Sequence, residues 1–72
     1  MIRFDARGLY ASLDAQRVAR GLTWGRAAAE IGVSVTTVRR TRLGGRLEVD
    51  GMLAMVRWLW VPVETFVRDI PN

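Results

Sequence analysis

A connection of only three residues, 32–34, separates two helix-forming segments and limits most strongly how this chain can fold. Thr23 stands where it can cap the first segment, which the sequence predicts as a helix from Trp24 to Glu30 or Ile31. Ser34 can cap the second, predicted from Val35 to about Arg42. The glycine of the connection supplies a left-handed residue. Because so short a link makes consecutive helices cross steeply, the sequence predicts a helix-turn-helix.

Glycine and proline divide the rest of the chain into three further predicted helices. The first lies between Asp5, its N-cap, and Gly21, and the fourth runs from Met52 to Trp60. A short fifth helix is predicted from Pro62 to Arg68, since proline suits a first helical turn. Strand-forming alternation is almost absent. The sequence therefore predicts an all-α fold, a compact five-helix bundle with a central helix-turn-helix, as a single DNA-binding domain over residues 1–72.

The positive charge of the chain is concentrated in one segment. Residues 17–46 hold seven arginines against the single acid Glu30, a local net charge of +6, whereas the rest of the chain has a net charge of −2. Such a segment is typical of a nucleic-acid binder, because neutralising phosphates releases condensed counterions. The alternative is a solvated basic face without a partner.

Several classes of function are excluded by what the chain lacks. It has no cysteine and no histidine, so it offers no disulfide, no thiolate metal site and no imidazole base. The seven acids are scattered, and no catalytic pair stands at a sensible spacing. We therefore expect no enzyme activity, no metal, no cofactor and no small-molecule ligand. The apolar runs are too short for a signal peptide or a membrane span, so we expect a cytoplasmic protein that does not bind membranes.

The helix-turn-helix has a frame of three small or apolar residues. Ala28 stands four positions before Gly32 and lets the two helices pack closely, while Val38 stands six positions after it and pins the third helix to the core. With this frame, residues 22–34 resemble the phage repressor and Cro-type family, also called XRE-like or lambda repressor-like. Residues 59–66 resemble that family's join between its last two helices, and the likeness covers roughly residues 5 to 67.

The resemblance implies that the third helix lies in the major groove and that Val35, Thr36 and Arg40 face base edges. Arginine can hold guanine through two acceptors, threonine can donate or accept, and valine can touch the thymine methyl group. The residues implied to contact the DNA backbone, or to lie near the base edges, are Trp24, Ser34, Thr37, Arg39 and Arg42. Two alternatives stay open: Arg39 and Arg40 both contact only phosphate, and Val35 only covers the first turn of its helix. Trp24 stands where the family often has a glutamine, and its indole either donates to a phosphate or packs against the first helix.

Two further positions depart from the family pattern. Thr41 replaces a large apolar residue, so we expect packing beneath the third helix to be looser or to be filled from elsewhere. Many relatives pair the arginine at position 17 with a glutamate at position 42, but this chain has Arg17 and Arg42. Because two arginines would repel in a dry interior, we expect Arg42 to turn outward to a phosphate. Arg17 should seek a carbonyl, a phosphate, Asp14 or Glu30.

The fourth helix carries more tryptophan than its inner face can bury. Trp58 and Trp60 lie within three residues of each other, so one of them should remain at the surface. Exposed tryptophan beside another apolar residue such as Val63 suggests an interface. Phage-type repressors commonly dimerise through this part, which predicts a homodimer through Trp58, Trp60 and Val63. The alternative is that the tryptophans fill the core.

The sequence thus predicts a sequence-specific regulator of transcription that binds double-stranded DNA. Specifically, we expect a Cro-like repressor of a phage or mobile element, which binds a palindromic operator as a homodimer through its third helix. One alternative is an excisionase or MerR-like architectural protein, although no alternating strand pair follows Leu47 to build a wing. Another is a protein-interaction module, such as an antitoxin or a phage-encoded inhibitor.

Overall fold

A computed structural model describes residues 1–71 and has four α-helices and a small two-stranded sheet. In chain order the elements are β1 (Ile2–Phe4), α1 (Ala6–Ala19), α2 (Trp24–Ile31), α3 (Val35–Leu43), α4 (Val49–Leu59), a 3-10 helix (Val63–Phe66) and β2 (Val67–Asp69). The mainly helical class agrees with the prediction. Asn72, which the predicted domain includes, lies outside the described residues. Over residues 1–71, no helix has the length and apolar character needed to cross a membrane.

The predicted count of five helices is wrong, because the segment 62–68 forms one 3-10 turn and then a strand. The backbone carbonyl of the buried Phe66 accepts a hydrogen bond of 2.7 Å from the amide of Asp5. This bond brings the following residues beside β1, where Val67 pairs with Phe4 in an antiparallel register. Three-residue strands are too short to show alternation, and their pairing joins residues more than sixty positions apart.

The predicted N-caps of α1, α2 and α3 are confirmed. The side chains of Asp5, Thr23 and Ser34 each accept from the backbone amide three residues further on, at 2.9, 3.1 and 3.1 Å. Each bond satisfies one of the free amides that a helix leaves at its start. Helix α4 begins earlier than predicted, with Glu48 at the N-cap position.

The core lies where α1 meets α3 and α4. Leu9 and Leu13 of α1 are fully buried, together with Met55 of α4, and Val38 of α3 packs against them. Phe66 closes the cluster from the 3-10 helix. Helix α3 packs mainly against α1, so its orientation is set by the longest helix of the protein.

Candidate nucleic-acid interface

The turn between α2 and α3 is built on the geometry of Gly32. Its φ of 91° is left-handed, and the Ala28 carbonyl accepts from both the Gly32 amide at 2.9 Å and the Val33 amide at 3.1 Å. A Cβ added at Gly32 would meet no other atom of residues 1–71 within 4 Å. The backbone conformation therefore requires glycine here, and crowding does not. Val33 then packs against the core and fixes the path of the chain into α3.

The inner face of α3 is anchored by Val38 and Thr41. Val38 is 2% exposed and Thr41 is fully buried, and the Thr41 hydroxyl donates to the Val38 carbonyl. This local bond satisfies the hydroxyl, so threonine is accommodated where a large apolar residue was expected. One turn earlier in α3, helix α4 approaches closely, because a Cβ at Gly51 would lie 3.3 Å from the Thr37 methyl group.

The three residues predicted to face base edges are all exposed, but they do not share one stripe of α3. Thr36 and Arg40 lie opposite the buried Val38, whereas Val35, 36% exposed, borders the same cleft as Val38. With about 3.6 residues per turn, Thr36 and Arg40 are neighbours on one stripe, one turn apart. The structure thus places a hydroxyl and a guanidinium side by side on an accessible surface.

The residues predicted to contact the DNA backbone do not all share this exposure. Arg39 and Arg42 are exposed, and Ser34 is exposed while capping α3. Thr37 is half-buried, and its hydroxyl lies 3.0 Å from the Ser34 hydroxyl while its methyl group faces α4. Thr37 is therefore held mainly within the protein, and only its hydroxyl side is available to a ligand.

Trp24 is packed against α1. Its ring stacks on Tyr10 with centroids 5.1 Å apart, and the Arg17 guanidinium lies 4.8 Å from its ring centroid. One edge of the half-buried indole still lines a cleft of about 220 Å³, whose rim includes Arg39 and Arg42. Of the two roles considered for Trp24, packing against α1 is observed, while contact with a phosphate stays a prediction.

The arginines of the basic segment that precede α3 have acidic partners, and those in and after α3 have none within the described part of the chain. Arg17 contacts Asp14 at 2.7 Å, and Arg20 and Arg26 lie 3.6 and 3.9 Å from Glu30. Arg17 also donates to the Leu22 carbonyl at 2.9 Å, which realises two of the partners expected for it. Among residues 1–71, no ion pair is found for the four remaining arginines of the segment, 39, 40, 42 and 46. The unbalanced charge is therefore concentrated on one helix and its adjoining loop.

Trp58 and Trp60 have different environments. Trp58 is half-buried; its indole donates to Glu30 at 3.3 Å, and the Arg20 guanidinium lies 4.8 Å from its ring centroid. Trp60 is 82% exposed and ends α4 with a left-handed φ of 57°, which no other non-glycine residue in the described part of the chain adopts. Trp58 therefore helps to join α1, α2 and α4, and Trp60 is the tryptophan left at the surface.

The exposed Trp60 side chain borders two open grooves, one on each side. One groove, of about 490 Å³, includes Val63, and the other, of about 520 Å³, includes Trp58. Leu53, which is 47% exposed, and Arg57 line both grooves. The three residues predicted for a dimer interface thus border one surface, with Trp60 projecting from its centre.

Sequence reasoning missed two arginines that the fold brings beside the end of α3. Arg7 of α1 donates to the Leu43 carbonyl at 3.4 Å, and Arg3 of β1 shares a cavity with Arg46. Neither has a local signal, because both lie far from α3 in sequence and reach it only through packing of α1 and pairing of β1. Leu43, 72% exposed on α3, was also missed.

No family model, curated protein or solved structure matches the chain.

Proposed function

We propose that the protein binds double-stranded DNA and regulates transcription, with α3 lying in the major groove. One observation carries the proposal: α3 is held on its inner face by Val38 and Thr41, while its outer face presents arginines that have no acidic partner within residues 1–71. A rigid basic helix of this kind suits the phosphate-lined major groove, which is wide enough to admit one helix. The glycine turn before it has the form of a helix-turn-helix.

The proposed contacts follow from side-chain chemistry and exposure. Arg40 reads a guanine through its two major-groove acceptors, Thr36 donates to or accepts from a neighbouring base, and Val35 touches a thymine methyl group. Arg39 and Arg42 bind phosphates on the side of the Trp24 cleft. Ser34 and the Thr37 hydroxyl lie at the start of α3 and would contact a phosphate there.

We further propose that the protein acts as a homodimer on a palindromic site. A two-fold interface brings the same surface of two protomers together, so the surface must be complementary to itself. Trp60 with its two flanking grooves offers a projection and a recess on one surface. In such a pair the Trp60 indole of each protomer enters a groove of the other, beside Leu53 and Val63. The two copies of α3 would then enter successive major grooves, about 34 Å apart.

The finer assignment is a Cro-like repressor of a phage or mobile element, located in the cytoplasm with the DNA. It is supported by the resemblance of residues 22–34. The proposed mechanism is steric, and no residue between 1 and 71 suggests a sensor site. Between α3 and α4 only residues 44–48 intervene, which is too short for the strand pair of a winged protein. A role as a protein-interaction module would rest on Trp60 alone, and the dimer already accounts for that residue.

Titration of a random-sequence duplex at increasing salt tests DNA binding. For the parent protein we expect affinity to fall steeply with salt, since each neutralised phosphate contributes about −0.9 to the slope of log K against log salt. The double variant Arg39→Gln/Arg42→Gln should lower the magnitude of that slope by about 1.8. The matched control is Arg20→Gln, since Arg20 faces Glu30 and Trp58 and should leave the slope unchanged.

Two results would overturn the proposal. One is an affinity for duplex DNA that does not depend on salt, and the other is an equal slope for the parent and the Arg39→Gln/Arg42→Gln variant. Circular dichroism of each variant shows whether the helices are retained, so that a loss of binding is not mistaken for unfolding. Both arginines are exposed, and neutral glutamine keeps a good helix propensity, so the fold should survive.

A further inference from the structure

The two-stranded sheet holds two arginines directly opposite each other. Arg3 of β1 pairs in register with Arg68 of β2. Like charges in such a position repel, because cross-strand neighbours lie close together on the same face. Arg68 is compensated by the Asp5 carboxylate at 3.2 Å and by the Thr65 carbonyl at 2.7 Å. Arg3 has no ion pair with any residue from 1 to 71, so its charge is left without compensation.

The uncompensated Arg3 lines a cavity that is also lined by one basic residue from the loop after α3. Arg3 and Arg46 both line this cavity, whose volume is about 620 Å³, and Phe4, Leu47 and Met52 contribute apolar walls. At one side the walls are the backbone of Gly44 and Gly45, and a Cβ at Gly45 would meet no described atom within 4 Å. No acidic side chain is found among the described residues that line it.

Arg7 links this cavity to α3. Its guanidinium donates to the Leu43 carbonyl at 3.4 Å, and its side chain lies against Gly44, 2.6 Å from where a Cβ would be. A donor at this position balances the partial negative charge of a helix C-terminus. The guanidinium has five N–H donors and uses only one on Leu43, so others remain for a ligand. The positive surface therefore continues from the last turn of α3, through Arg7, to β1.

We infer that Arg3, Arg7 and Arg46 form a second phosphate-binding site, here called the basic trough, which binds the DNA backbone beside the groove that α3 enters. The inference rests on the proposed function. The cavity is open and lined by Arg3 and Arg46, and Arg7 lies beside it against Gly44, which suits a strand of successive phosphodiesters better than one enclosed ion. Because it continues the basic surface of α3, one polyanion can contact both.

Binding a phosphate would also remove an unfavourable feature of the free protein. A phosphate beside Arg3 compensates the charge that faces Arg68 across the sheet. The chain thereby gains a contact outside the helix-turn-helix, delivered by a strand that sequence reasoning did not detect. Such contacts position a protein on the duplex and carry no sequence information themselves.

The double variant Arg3→Gln/Arg46→Gln tests the trough while leaving the Arg7 bond to Leu43 intact. We expect the slope of log K against log salt to fall in magnitude by about 1.8, on a random duplex and on a preferred sequence alike. Over a rise from 50 to 200 mM salt, the variant should therefore lose about 12-fold less affinity than the parent. Its preference among sequences should not change. Arg20→Gln again serves as the matched control, and the melting temperature of free Arg3→Gln should not fall.

The outcomes separate this inference from the proposed function. If Arg39→Gln/Arg42→Gln lowers the slope but Arg3→Gln/Arg46→Gln does not, the trough is no phosphate site and the function of α3 stands. If the parent shows no salt-dependent binding to DNA, both proposals fail. Binding of a polyglutamate peptide is measured as well, to test whether the partner is an acidic protein. Should the peptide bind as tightly as a duplex of equal charge, and should the Arg3→Gln/Arg46→Gln variant lose that binding, the partner is an acidic protein and the inference is overturned.

Discussion

The substitution Trp60→Gly distinguishes a tryptophan that supports the fold from one that supports self-association. The side chain is 82% exposed, so of the roughly 200 Å² of an aromatic side chain only about 40 Å² is buried. At about 25 cal/mol per Å² its loss costs the folded chain about 1 kcal/mol. Against this, a left-handed φ of 57° costs a residue with a Cβ roughly 1–2 kcal/mol, which glycine avoids. Part of this stabilisation is lost again, because glycine increases the conformational entropy of the unfolded chain. The free energy of unfolding should therefore change by less than about 1 kcal/mol.

The same substitution should have a large effect on the dimer. The exposed part of the indole, about 160 Å², would contribute up to about 4 kcal/mol if a partner covered it completely. Truncating an interface residue that is a hot spot, a class rich in tryptophan, costs at least about 2 kcal/mol. A two-fold pair contains two equivalent Trp60 contacts, so the loss should reach about 4 kcal/mol, or roughly a thousandfold in Kd.

Sedimentation equilibrium and urea unfolding, carried out on the same samples, measure both quantities. Trp60→Ala is the matched control, because it removes the indole but keeps a Cβ at the left-handed position. Both variants should be monomeric, and the alanine variant should be less stable than the glycine variant by about 1 kcal/mol. A Trp60→Gly protein that self-associates like the parent would refute the dimer argument. One that loses several kcal/mol as a monomer would show that Trp60 belongs to the core.

Two further substitutions test how α3 is held. Ser34→Ala removes the acceptor for the Thr37 amide at 3.1 Å, and urea unfolding should show a loss of about 1 kcal/mol, whereas a change near zero would mean that the cap contributes nothing. Thr41→Ser removes one fully buried methyl group and should lower the free energy of unfolding by about 1 kcal/mol. Thr41→Val should cost less, because the Val38 carbonyl that loses the hydroxyl still accepts its backbone hydrogen bond within α3. Equal losses for the two Thr41 variants would contradict the role given to that methyl group.

The local signals in the sequence predicted the central part of the fold well. A capping side chain and a left-handed glycine act over three or four residues, so Thr23, Gly32 and Ser34 were sufficient to define α2 and the start of α3. The segment after Pro62 could not be predicted from local signals. Its conformation depends on a hydrogen bond to Asp5 and on pairing with β1, and no short window of sequence contains both partners.

The candidate site was predictable in its position and less so in its charge. Exposure of Thr36 and Arg40 follows from helical periodicity once Val38 is assigned to the core. Counting charges along the chain overestimated the free positive segment, because Asp14, which lies outside the segment, pairs with Arg17 in space. Arg3 could not be predicted as part of the basic surface, because it lies outside the segment in sequence and reaches the end of α3 only through the sheet.

The two tryptophans of α4 show the same limit. Positions two apart on a helix point in nearly opposite directions, so one ring had to face inward and the other outward. Trp58 is the half-buried one, and its indole donates to Glu30 of a different helix. Because that contact joins residues 28 positions apart, no short window of sequence shows which tryptophan stays at the surface.

The central claim is that α3 reads the sequence of duplex DNA, and selection from a random duplex pool tests it most directly. The parent protein should enrich a palindrome whose half-site centres lie about one helical turn apart. Selection with Arg40→Gln should relax the preference for guanine at one position of each half-site, at a cost of about 1–3 kcal/mol in affinity. A pool that shows no enriched sequence, or an Arg40→Gln variant that enriches the same sequence with the same preference, would contradict the account.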